Sequence, residues 1–239
     1  MINFNSKSLI PLCEKFGLLL DNTAVERLEA YGNLLLEWNG KINLTAITEP
    51  QDVLYKHFYD CLLFFDAVDV KNNADIIDVG TGAGFPGMVL KIARPDINIT
   101  LIDSLNKRVT FLNEISRALC LDTVTLHMRA EDGGQDKNLR EKFDISCARA
   151  VANLNVLSEY CVPFVKPGGV FVAMKGKDVK PELEAANGAL KTLGCDSGKI
   201  VNKTLRENEE RSFIIAKKIS QTPPKYPRKS AKIAKAVLL

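Results

Sequence analysis

Apolar positions recur in two rhythms along this chain. Through residue 70 they fall three and four apart: Leu9, Leu12, Cys13 and Phe16, then Val25, Leu28, Tyr31, Leu34, Leu35 and Trp38, then Val53, Leu54, Phe58, Cys61 and Leu62. That spacing predicts amphipathic helices. Thr23-Ala24-Val25-Glu26 reads as a capping box opening the second helix, with Asn39-Gly40 at its end. Thr48-Glu49-Pro50-Gln51 reads as the start of a third, with proline in the first turn, running on to Phe64-Phe65. His57 falls inside that last pattern and is expected to be a packed or hydrogen-bonded histidine.

From residue 75 short apolar runs alternate with helical stretches. Strands are expected at 75–79, 98–103, 123–128, 143–147 and 170–174. Helices are expected at 86–93, 106–120, through Leu154, Leu157 and Cys161, and at 178–193, with closing strands near 198–205 and 211–217. Such alternation predicts an α/β fold around a doubly wound, mostly parallel sheet with an antiparallel strand at its end. The expected organisation is a helical N-terminal appendage (1–70), a catalytic domain (71–220) and a basic tail (221–239), poorly ordered or lying on the surface.

The chain is organised around Ala74-Asp-Ile-Ile-Asp-Val-Gly-Thr-Gly-Ala-Gly-Phe-Pro-Gly87, a strand that breaks into glycines and then an apolar helix. Glycine reaches φ > 0 without steric cost, and the helix start offers free N–H groups to a polar ligand. Two cofactor readings fit. Gly82-x-Gly84-x-x-Gly87 matches a dinucleotide fingerprint, and Gly80-x-Gly82-x-Gly84 after Asp78 matches an S-adenosylmethionine loop. Both want an acid at the end of the next strand, so Asp103 does not separate them. Ligands of such sheets bind beyond the carboxyl ends of the strands, where Gly80, Gly82, Gly84, Asp103, Ala130, Glu131 and Arg149 fall.

Composition changes this picture little. With 46% apolar and 26% charged residues, the 239-residue chain is ordinary for a globular protein. No signal-peptide pattern or membrane-length apolar run is present, and six scattered cysteines with two histidines make no metal motif. A reduced, cytoplasmic, metal-free monomer is expected. Charge adds more: seven of the 32 bases and none of the 29 acids lie in residues 216–239, the asymmetry of a polyanion-binding tail or a solvated terminus.

Seven stretches together resemble the RsmG (GidB) family of bacterial methyltransferases of small-subunit (16S) ribosomal RNA. They are Asn43–Thr48, Lys56-His57-Phe58-Tyr59-Asp60, Asp78–Gly87, Asp103–Arg108, Ala130-Glu131, Ala148-Arg149-Ala150-Val151 and Tyr226-Pro227-Arg228-Lys229. The resemblance implies a Rossmann-like class I methyltransferase that makes 7-methylguanosine from S-adenosyl-L-methionine, on small-subunit RNA or an assembling particle. By resemblance, Gly80, Gly82, Gly84 and Phe85 line the methionine end of the cofactor. Asp103 and Ser104 lie by its ribose, Ala130 and Glu131 flank its adenine, and Arg149 faces the reacting end. Cys61 stands where the family has serine, and Ala231 and Ile233 replace its glycine and proline near the tail.

Guanine N7 carries an unprotonated lone pair on the major-groove edge. Its methylation needs in-line approach and no proton removal, so positioning and electrostatics suffice. Cys147 lacks a Pro-Cys context and reads as a buried structural thiol. Phosphate contacts are expected from the tail and from Lys107, Arg108, Arg129, Arg149 and Lys175, and base stacking from Trp38, Phe58 or Tyr226. The rival functions are a small-molecule methyltransferase, an NAD-dependent dehydrogenase and a non-catalytic RNA-binding module.

Overall fold

A computed structural model describes every residue except Met1, Asn3, Ala150, Val151, Asn208 and Leu239; the last two positions of the Ala148–Val151 motif therefore lie outside the described residues. The N-terminal helices are α1 (Ile10–Glu14), α2 (Asn22–Ile42) and α3 (Pro50–Val53). A π-helical turn, Leu54–Tyr59, continues α3 into α4 (Asp60–Leu62) and α5 (Phe64–Ala67). Strands and helices then alternate: β1 (Asp75–Val79), α6 (Gly87–Ala93), β2 (Asn98–Asp103), α7 (Asn106–Ala118), β3 (Thr123–His127), α8 (Ala130–Gly133) and β4 (Phe143–Arg149). They are followed by α9 (Leu154–Cys161), β5 (Val165–Lys175), α10 (Lys180–Leu193), β6 (Lys199–Arg206), β7 (Glu209–Lys217) and α11 (Ser230–Lys235).

The strands form one seven-stranded sheet in the order β3–β2–β1–β4–β5–β7–β6. β1 to β5 pair in parallel, whereas β7 runs antiparallel to both β5 and β6. Successive strand residues point to opposite faces, and the core divides accordingly. Ile76, Val172, Phe213 and Ile215 join Leu28, Tyr31, Phe58, Met88 and Leu112 in one apolar cluster. Ile77, Phe171, Ala173, Ile214 and Ala216 join Leu157, Phe164 and Leu190 in the other. The N-terminal helices therefore share the core of the α6–α7 side, and α9 with α10 covers the opposite face.

Several local expectations are corrected. The cap of α2 is Asp21, whose carboxylate accepts from Ala24 N at 2.7 Å, in place of Thr23. That helix runs through Asn39-Gly40 to Ile42 and ends at left-handed Asn43. Asn39 Oδ1 instead accepts from Leu44 N and Thr45 N at 2.6 and 2.8 Å, folding the following loop back toward the end of α2. The fifth strand, expected at 170–174, begins at Val165, so Lys166-Pro167-Gly168-Gly169 lies within β5. Residues 130–133 form a short helical turn after β3.

The tail differs most from expectation. Thr222, Tyr226 and Ile233 are buried, as is Lys218, whose ammonium donates to Val162 O, Val165 O and Thr222 Oγ1. Arg140 donates to Thr222 O, Pro223 O and Tyr226 O, and Arg228 grips fully buried Glu159 with Nε and Nη2 at 2.8 and 2.6 Å. Buried backbone carbonyls and a buried carboxylate need partners, and residues 218–228 exist in this structure as those partners. The segment is a strap: Lys218 and Arg228 are committed to acids within the fold, while exposed Lys217 and Lys225 and the last bases are left to serve a polyanion.

Candidate active site

The glycine turn follows directly from β1. Asp78, fully buried, accepts Thr81 Oγ1 at 2.6 Å and Gly87 N at 2.8 Å on one oxygen, closing the turn from below. Burial pushes its carboxyl up to about 6, against those two hydrogen bonds. Gly82 has φ of +63°, and a side chain there would meet nothing nearer than Gly80 O at 4.0 Å, so its α-carbon borders open space. Gly82 N donates to Asp103 Oδ2 at 2.9 Å, tying the ends of β1 and β2 together. Asp103 Oδ1 accepts Leu105 N at 2.9 Å, and Arg108 Nη1 stands 3.4 Å from Oδ2. Gly84, with φ of +98°, packs inward: a Cβ would lie 2.5 Å from Tyr31 Oη and 2.7 Å from Met88 Cγ. Tyr31 in turn donates its hydroxyl to Ala83 O.

A cleft of about 660 Å³ opens over this turn. Gly80–Ala83, Phe85 and Arg108 line it on one side, Leu44, Thr45, Lys56, His57 and Asp60 on another, and Arg149, Lys175, Arg211 and Phe213 on the third. Arg149, the last residue of β4, lies over Phe85 with its guanidinium carbon 4.7 Å from the ring centroid. His57 stacks on the same ring at 4.5 Å. Arg149 Nη1 donates to Lys56 O at 3.1 Å and Asp60 Oδ2 at 3.0 Å, and Nη2 lies 3.2 Å from His57 Nδ1. Asp60 is buried, and its other oxygen is 2.8 Å from Arg211 Nε, an ion pair by distance at an angle short of a hydrogen bond. One carboxylate thus holds two guanidinium groups at the cleft wall.

The state of His57 follows from its neighbours. Burial and the adjacent Arg149 charge push its pKa down to about 3, so the ring is neutral at physiological pH. Arg149 can only donate, which assigns the Nδ1 lone pair to it and the proton to Nε2, 2.8 Å from Thr45 Oγ1. Lys56 O, 3.1 Å from Nδ1, is then left to Arg149 Nη1. Cys147, fully buried behind the cleft, has its thiol pushed well above the ordinary value by burial.

The family described as rRNA small subunit methyltransferase G (GidB) matches residues 24–213. The chain belongs to this family. The ribosomal RNA small subunit methyltransferase G of Clostridium perfringens (strain SM101) is 46% identical over 231 residues, covering 95% of each chain. That of Acetivibrio thermocellus is 48% identical over 231 residues, covering 96% of this chain and 95% of the relative. Among solved structures, a methyltransferase from Pyrococcus furiosus superposes with TM-score 0.54 at 13% identity, covering 81% of this chain and 98% of that one. M. jannaschii TYW2, solved in complex with AdoMet, superposes with TM-score 0.53 at 12% identity over 73% of this chain and 80% of that one. The chain shares the fold of these methyltransferases, and its membership of the rRNA small subunit methyltransferase G family decides against the dehydrogenase reading of the glycine run.

The cleft gathers Gly80, Gly82, Phe85 and Arg149 from the positions named in the sequence. Asp103 reaches it through Gly82 N. Exposed Ser104 and the Ala130-Glu131 turn stand outside the lining, at the carboxyl ends of β2 and β3, and Gly84 is turned into the core. Phe58 and Tyr226 are buried, which removes both as stacking partners, and Trp38 packs against Phe111 at 5.6 Å. Lys175 donates to Ala152 O and Glu182. His127 is exposed, 3.1 Å from Ser104 O. Tyr31, Thr45, Asp60 and Arg211 are site residues that the spacing of strands and glycines did not single out. Only Thr45 and Asp60 left a signal, inside the two N-terminal family motifs.

Proposed function

We propose that this chain transfers the methyl group of S-adenosylmethionine to N7 of an unpaired guanine in small-subunit ribosomal RNA, by positioning and without a general base. The observation that carries the reading is the meeting, in one cleft, of an open glycine turn and a wall of cations around a neutral imidazole. Open space at Gly82, bounded by the β1 turn and the Asp103 carboxylate, fits a cofactor whose methionine end lies at Gly80–Gly82 and Phe85. Its ribose would lie at Asp103 and Ser104, and its adenine at Ala130 and Glu131; Gly84 shapes the turn from within. When bound, S-adenosylmethionine supplies a methyl group made electrophilic by its sulfonium.

The remaining work falls to the chain's own residues. Among the described residues of the lining, Lys56, Arg108, Arg149, Lys175 and Arg211 face Asp60 as the single acid, so the cleft is positive and draws phosphate. Single-stranded RNA can present a splayed guanine to such a cleft. Arg149 is held rigid by Asp60, Lys56 O and Phe85, keeping the reacting end of the cleft in one shape. The low proton affinity of His57 suits it to a hydrogen-bonded wall and not to proton abstraction.

Two measurements test the reading. S-adenosylhomocysteine at 100 times its Kd should stabilise the protein by ~2.7 kcal/mol, while NAD should leave it unchanged. Reaction with labelled donor and small-subunit RNA should yield 7-methylguanosine on nucleoside analysis. Label in any other nucleoside rejects the N7 assignment, and protection by NAD alone rejects the cofactor.

A further inference from the structure

Two arginines face the proposed reacting end, and they are not equivalent. Arg149 is engaged on both terminal nitrogens, by Lys56 O and Asp60 on Nη1 and by His57 on Nη2, and its guanidinium carbon lies 4.7 Å from the centroid of the Phe85 ring. It offers a substrate little beyond its charge. Arg211, on β7, is fixed at its inner edge by the Asp60 pair at Nε, and its Nη1 donates to Glu210 O at 3.0 Å. Its Nη2 has no hydrogen bond to any described residue. Its side chain is 25% exposed against 16% for Arg149, and both line the same cleft.

We propose that Arg211 is a specificity-determining residue that donates from Nη2 to O6 of the guanine undergoing methylation, with Asp60 as the residue that positions it. This inference rests on the N7 reading above. Guanine carries N7 and O6 side by side on one edge as two acceptors. With N7 aimed at the methyl group, O6 is the acceptor left beside it. A guanidinium braced against a buried carboxylate presents a donor there at a fixed angle. Adenine places an N6 amino donor at the same position. Two donors would then face each other, so the same residue rejects adenine. Arg108, bonded toward Asp103 at the opposite side of the glycine turn, stands apart from this end.

The test uses two RNAs: the natural small-subunit fragment, and the same fragment with 2-aminopurine, which lacks O6, at the guanine mapped with the wild-type enzyme. Arg211→Met should lower kcat/KM for the guanine RNA by about tenfold. It should leave kcat/KM for the 2-aminopurine RNA within about twofold of wild type, with S-adenosylhomocysteine affinity unchanged. Taking the ratio on each RNA cancels the different N7 basicity of the two bases. Equal loss on both RNAs, or no loss on either, overturns the contact; equal loss marks a phosphate or purely structural role. Arg211→Lys, which keeps a cation against Asp60, is read by the same ratio and serves if the methionine variant does not fold. Failure of the wild type to form 7-methylguanosine at all would reject the parent reading instead.

Discussion

Tyr31 donates its buried hydroxyl to the carbonyl of Ala83, so helix α2 reaches across the core into the glycine turn of β1. The same ring stacks on Phe58 at 5.4 Å and packs against Phe85 at 5.6 Å, which carries the contact on to His57 and Arg149. The N-terminal helices are thus part of the site's scaffold. Tyr31→Phe leaves the ring packing and strips Ala83 O of its donor. An unsatisfied buried acceptor costs ~1–3 kcal/mol. Denaturant unfolding should show a loss of that size. The affinity for S-adenosylhomocysteine should fall severalfold, with RNA affinity unchanged. Unaltered cofactor affinity would mean that α2 merely covers the turn.

Gly82 and Gly84 separate function from packing within one turn. Gly82→Val places a side chain in open cleft, at the cost of a left-handed backbone, ~1–2 kcal/mol. It should remove S-adenosylhomocysteine binding while the protein still folds. Gly84→Ala drives its methyl into Tyr31 and Met88 and should lower stability more than Gly82→Val does. Calorimetric titration beside thermal melts distinguishes them. Wild-type affinity in folded Gly82→Val removes the turn from the cofactor site.

Much of this was legible in the chain because sheet and turn are written in local pattern. The alternation from Asp75 to Lys217 gives strand, helix and carboxyl-end positions, and glycines mark where φ must be positive. What was not legible is assembled across distance. Asp60 and Arg211 meet from 151 positions apart, brought together by the pairing of β5 with antiparallel β7, and no spacing encodes that pair. Lys218 and Arg228 looked like members of a solvated basic run, because sequence shows their charge and not the half-buried Glu141 and buried Glu159 that receive it. Thr23 offered a good cap, but Asp21 won once the chain entered α2 two residues earlier.

The strap changes how the tail must be tested. Truncation after Lys218 would orphan buried Glu159 and the Arg140 donors, confounding folding with binding. Arg228→Ala alone should cost ~3–5 kcal/mol, the expected penalty for an unpaired buried charge. Truncation after Lys229 removes only Lys232 and Lys235 among the bases. It should leave stability nearly unchanged apart from the loss of buried Ile233. The slope of log K for RNA against log salt should fall by up to ~0.7 per lysine for a single strand. An unchanged slope would make the terminal lysines a solvated end.

The pH dependence puts the base-free mechanism at risk. His57 has a folded pKa of about 3, below its unfolded value of ~6.5. Between those values the unfolded chain binds a proton that the folded chain refuses. Its contribution to stability is therefore complete above pH ~6.5 and is lost as the pH falls toward 3. Asp78 runs the other way: its carboxyl is raised from 3.8 to about 6 in the fold, so its contribution is complete below 3.8 and is lost as the pH rises through 6. Single-turnover methyl transfer should accordingly be flat from about pH 7 to 9, where neither group titrates. A decline near pH 6 is expected from protonation of Asp78, which holds Thr81 and Gly87 in the glycine turn. His57→Gln should lower the rate by one pH-independent factor, through looser support of Arg149, and should leave that decline in place. Single-turnover conditions keep slow product release from masking the chemical step. An inflection near pH 6.5 in the wild type that disappears in His57→Gln would identify the imidazole as a proton acceptor, and with it sink both the positioning mechanism and the N7 acceptor that makes it sufficient.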